Sequence, residues 1–114
     1  MQRWFTPGFM QSAEAQAART YVAQRDPRGW AQGWKAIAAL HTEPHLRALR
    51  MPALCVAGEL DVSAPPDIVR RIANAIPGAR FEVLAGAPHM LFIEQPDQVS
   101  AIIANFLEGL EAKR

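Results

Sequence analysis

The chain has 114 residues, half of them hydrophobic, and 12 Lys and Arg nearly cancel 11 Asp and Glu to leave a net charge of +1. That length holds one small domain, and the balance excludes the strong basic excess expected of a nucleic-acid binder. The longest apolar runs, such as "MPALCVAG", are too short to span a bilayer, and the opening "MQRWFTPGFM" lacks the apolar centre of a secretory signal, so the expected location is the cytoplasm, away from membranes.

Residues 1–50 read as helical. In "SAEAQAARTYVAQRD", Ser12 is placed to cap an Ala-rich helix. In "DPRGWAQGWKAIAALH", Asp26 is the cap and Pro27 occupies the first turn. Trp30, Trp34 and Ile37 share one apolar face of that helix, where the two tryptophans are expected to pack against the rest of the chain. "EPHLRALRM" reads as a short helix or turn. From residue 51 the pattern alternates. "ALCVAG" suits a strand buried on both faces, with its single cysteine, Cys55, as a small core residue. "PPDIVRRIANAIPG" follows as an amphipathic helix with Ile68, Ile72 and Ile76 on one side, and "ARFEVLAG" as a second strand. "QPDQVSAIIANFLEGLEAK" closes the chain as a long helix. The fold class is α/β, with a β-α-β-α unit of parallel strands over residues 51–114.

Two apolar parallel strands need neighbours on both edges and helices on both faces, and two strands alone make a poor open sheet. The chain therefore reads as the end of something larger. Catalytic groups in parallel sheets gather at the carboxyl ends of strands. Asp61 stands three residues beyond Gly58, and His89 three residues beyond Gly86. Adjacent parallel strands lie about 5 Å apart, so the two loops can bring the carboxylate to the imidazole. Taken singly, Asp61 is better read as a cap for the helix behind it and His89 as an ordinary loop histidine. Their matching positions favour a catalytic pair in which Asp61 orients the ring and stabilises its cation.

"PALCVAGELDVSAPPDIVRRIANAIPGARFEVLAGAPHMLFIEQPDQVSAIIANFL" resembles the C-terminal part of an α/β-hydrolase. In that family the strand–GxxD–helix segment supplies the acid of the triad, here Asp61. The histidine lies in an H-x-x-x-x-E-x-P pattern matched by His89, Glu94 and Pro96. "RWFTPGF" and "DPRGWAQGWKAI" resemble the lid of 3-oxoadipate enol-lactonases, which act on a small anionic lactone in aromatic catabolism. The resemblance implies a partial α/β-hydrolase fold, with a helical lid over residues 1–50 and the end of the hydrolase core over 51–114. It implies a small ester or lactone substrate and no metal or organic cofactor. Arg3 and Trp4 become candidate substrate-binding residues, since Arg binds a carboxylate bidentately. Met90 and Phe92 suit core and pocket equally. Pro88 departs from the Gly that often precedes the histidine in this family, and proline fixes φ and removes an N–H.

The family's nucleophile sits on a G-x-S-x-G elbow that precedes the acid. Here "GWAQG" is the one pair of glycines with that spacing, and Ala31 stands at its centre. Ser12 is at a helix cap, Ser63 and Ser100 follow Asp61, and Cys55 lies inside a strand. None is a nucleophile in the right place, so the 114 residues alone are expected to be inactive. His41 and His45 in "HTEPH" have the spacing of two metal ligands on a helix, but Pro44 between them and the lack of a third ligand argue against a metal. Two readings follow. In one, the chain is the C-terminal portion of a carboxylic-ester or lactone hydrolase, completed by an N-terminal half that carries the serine. In the other, it is a non-catalytic truncated domain that self-associates through an exposed strand edge, or one part of a split enzyme.

Overall fold

The computed structural model describes residues 3–112. The first two residues of the expected lid, and Lys113 and Arg114 at the end of the expected core, lie outside the described residues.

A 3-10 turn, Phe9–Gln11, leads into helix α1, Ala13–Ala23. Ser12 caps it by accepting the Ala15 N–H at 3.1 Å. Helix α2, Pro27–Ala38, begins with proline in its first turn, and the Asp26 carboxylate accepts the N–H groups of Arg28 at 3.0 Å and Gly29 at 3.4 Å. "EPHLRA" forms a second 3-10 segment, Glu43–Ala48. Strand β1, Leu54–Gly58, then helix α3, Pro66–Ala75, and strand β2, Arg80–Leu84, form a parallel β-α-β unit, with Leu54 opposite Arg80 and Gly58 opposite Leu84. A short helix α4, Leu91–Glu94, lies where the sequence shows no helical period, and helix α5, Pro96–Glu111, closes the described chain.

The interior is thin. Among the described residues the buried apolar ones are Phe5, Ala15, Ala57, Ala73, Ile76 and Ala87, mostly alanines, and no large side chain is fully enclosed. The accessible surface is 8381 Å², against about 6,200 Å² for a compact folded protein of this mass. The radius of gyration is 16.2 Å, against about 13 Å for a compact domain of this length. Two expectations are corrected by this, for β1 and for the tryptophans, and the apolar side of α3 is only partly covered. Strand β1 is not buried on both faces: only Ala57 and Gly58 are buried, and Cys55 is half-buried. Ile68 and Ile72 on α3 stay exposed while Ile76 is buried. Trp30 and Trp34 do not pack against the strands; they meet edge to face at 6.3 Å and line an outward groove of about 480 Å³ whose walls come from α2 and the two residues before it. The reason is common to all three. The sheet has two strands, and α3, which packs on it, leaves these faces partly open among the described residues.

Candidate active site

Two loops leave the carboxyl ends of β1 and β2 and are stitched together. The Glu59 N–H donates to the Leu84 carbonyl at 3.0 Å, the Leu60 N–H to the Ala87 carbonyl at 2.9 Å, and the Gly86 N–H to the Glu59 carboxylate at 2.7 Å. Gly86 turns the second loop with φ of +64°, a conformation that glycine adopts at no steric cost. Gly58 is needed for a different reason. A Cβ at that position would lie 2.5 Å from the carbonyl oxygens of both Ala87 and Pro88, so the second loop crosses the first where a side chain is missing.

This crossing delivers His89 to Asp61. Asp61 Oδ2 lies 2.8 Å from His89 Nδ1. The other carboxylate oxygen, Oδ1, accepts the N–H groups of Ser63 at 2.7 Å and Ala64 at 2.9 Å. Asp61 therefore makes a turn of its own and does not cap α3, whose N-cap is Pro65. Its carboxyl is held below the ordinary carboxylate value. Burial pushes it upward, and the Ala64 N–H, the His89 ring and the Ser63 N–H together outweigh burial. An ionised Asp61 only accepts, so Nδ1 carries the proton of the His89 ring and Nε2 is left as the basic nitrogen. The Asp61 side chain is 5% exposed and that of His89 34%, so the acid is enclosed and the ring stays reachable.

Arg3 reaches the same two loops, on a cavity that neither Asp61 nor His89 itself lines. It lines this cavity, of about 160 Å³, with Phe5, Thr6, Pro7, Leu60, Val62 and Pro88, that is, with the neighbours of both Asp61 and His89. The Trp4 side chain is half-buried and does not line that cavity; its carbonyl accepts the Met90 N–H at 2.8 Å. Met90 is half-buried and Phe92 is exposed. The hydroxyl of Ser12 is engaged at its cap, and burial pushes the Cys55 thiol up, away from thiolate. His41 and His45 do not share an α-helical turn, and among the described residues no three His, Cys, Asp or Glu side chains form a metal cluster. Sequence reasoning missed Gly58 and Glu59 as the residues that join the two loops. An apolar run ending in Gly-Glu marks a strand end, but nothing in it names the backbone it will touch.

Residues 10–96 match the alpha/beta hydrolase fold family. The chain belongs to that family. It is 26% identical over 111 residues to 3-oxoadipate enol-lactonase 1 of Acinetobacter baylyi, covering 96% of this chain and 41% of that protein. The crystal structure of the enol-lactonase from Burkholderia xenovorans LB400 superimposes with a TM-score of 0.84 at 33% identity, over 93% of this chain and 41% of that one. An uncharacterized carboxylesterase of Bacillus subtilis, nap, is 31% identical over 86 residues, covering 75% of this chain and 28% of that protein. This alpha/beta hydrolase chain thus resembles enol-lactonases over nearly its whole length and spans less than half the length of these relatives.

Proposed function

We propose that the chain supplies the acid and the histidine of a Ser-Asp-His triad in a carboxylic-ester or lactone hydrolase. The observation that carries this reading is the 2.8 Å contact between Asp61 and His89 Nδ1, with the second carboxylate oxygen gripped by two backbone N–H groups. A serine from a segment outside these 114 residues would attack the carbonyl. His89 Nε2 would take its proton and return it to the leaving oxygen, with Asp61 stabilising the imidazolium between the two transfers. A water molecule would then release the acyl group by the same route.

For the substrate class, the enol-lactonase likeness and the position of Arg3 on the cavity support a small lactone bearing a carboxylate. Residues 3–50 would act as a lid over that cavity. The test is complementation: the N-terminal segment of the Burkholderia xenovorans enol-lactonase is supplied as a second chain or fused in front of this one. Lactone or ester hydrolysis that disappears in His89→Ala is expected. Hydrolysis untouched by His89→Ala, or a stable complex with no turnover, overturns the reading.

A further inference from the structure

The segment that carries Arg3 is fastened to the segment that carries His89 through one side chain. Thr6 gives its N–H to Glu94 Oε2 at 3.0 Å, and its hydroxyl bonds to Glu94 Oε1. Two residues earlier, the Trp4 carbonyl accepts the Met90 N–H at 2.8 Å. The Thr6 carbonyl in turn accepts the N–H groups of Phe9 and Met10 and starts the 3-10 turn, so every polar group of Thr6 is used. Between these ties Phe5 is buried, 3% exposed, and stacks on Phe9 at 5.4 Å. Residues 3–7 are thereby laid as a strap along residues 88–94, 88 positions away in the chain at the Thr6–Glu94 contact.

The strap builds one wall of the 160 Å³ cavity: Arg3, Phe5, Thr6 and Pro7 face Leu60, Val62 and Pro88. A void of about 150 Å³ accepts a benzene ring, so this one has the room for a small ring against the loops that carry the pair. We infer that Glu94 is a positioning residue that docks the strap, and with it Arg3, onto the His89 segment, setting substrate binding rather than the Asp61–His89 geometry. Asp61 is held by Ser63 and Ala64, and residues 87 and 88 by the crossing at Gly58, contacts in which Glu94 takes no part. Charge favours Glu over its isosteres here, since a carboxylate accepts both Thr6 donors at once. The inference rests on the triad reading for its kinetic consequence but not for its structural one.

The experiment has two arms. In the chain as it stands, amide exchange is followed by NMR in wild type, Glu94→Ala, Thr6→Val and Thr6→Ser, together with the downfield His89 Nδ1 proton. Glu94→Ala is expected to speed exchange at Thr6 and Met90 about tenfold, the scale of one lost hydrogen bond to a charged group, and to leave the His89 signal in place. Thr6→Val should show a smaller increase and Thr6→Ser none. In the completed hydrolase, Glu94→Ala should raise KM about tenfold with kcat nearly unchanged. Unaltered exchange at Thr6 and Met90, loss of the His89 signal, or a fall in kcat at constant KM overturns the inference. If Glu94→Ala does not fold, Thr6→Val against Thr6→Ser decides on the same signals. Activity that survives His89→Ala would remove the triad reading and leave the exchange result to judge the strap by itself.

Discussion

Asp61 and His89 are 28 residues apart in the chain and 2.8 Å apart in space. The separation is the length of one β-α-β crossover, which returns the chain to the same end of the sheet beside the strand it left. The pairing follows from that return and from a loop crossing that only glycine permits. In the completed hydrolase, His89→Ala should lower kcat by on the order of ten-thousand-fold, with substrate binding largely kept. Steady-state kinetics check this. A loss confined to KM would mean that His89 binds substrate and does not transfer protons.

Gly58→Ala tests the crossing. A new Cβ would press on two backbone carbonyls, which cannot swing aside as a side chain can. Overpacking of this kind costs about 1–3 kcal/mol, and the resonances of Ala87 to His89 should shift. Gly33→Ala is the control. Gly33 lies inside α2 with nothing within 4 Å of its would-be Cβ, so that change should stabilise the chain by up to about 1 kcal/mol. Urea denaturation of the two variants should move the midpoint in opposite directions.

Acid should weaken the fold through Asp61. Its folded carboxyl lies below the ordinary value of 3.8, because the bonds from Ala64, His89 and Ser63 outweigh the burial that opposes them. Such a group stabilises the folded state fully above the unfolded value. The contribution fades as pH falls below 3.8 toward the depressed folded value and is absent beneath it. Urea midpoints measured from about pH 5 to about pH 3 should therefore fall, and fall less steeply in Asp61→Asn. Equal slopes in both proteins would show that Asp61 does not carry the effect.

The chain on its own should self-associate. The outer edges of β1 and β2 have no strand beside them among the described residues, and Tyr21, Trp34, Ile37 and Leu40 are each more than half exposed. Open edges and apolar surface together invite pairing with another copy. Sedimentation should show mass rising with concentration. A monomer at every concentration would mean that the helices and edges are better shielded in solution than their exposure indicates.

Much of this molecule is written locally. Ser12 and Asp26 announce their helices because a cap needs only its own next three residues, and Pro27 and Pro66 mark first turns for the same reason. The alternation of strand and helix after residue 51, and the placing of Asp61 and His89 at strand ends, follow from periodicity and from the direction of parallel strands. Other features have no local signature. That Asp61 grips its own turn rather than capping α3, that Gly58 lies under the Ala87 and Pro88 carbonyls, and that Glu94 receives Thr6 all depend on which segments meet after the chain has crossed over. Burial went the same way: "ALCVAG" has the composition of a strand covered on both faces, but composition states a preference for cover and only tertiary packing supplies it. Here the crossover supplies one neighbouring strand and part of one helix layer, and that is why the apolar faces of α2 and α3 remain in water.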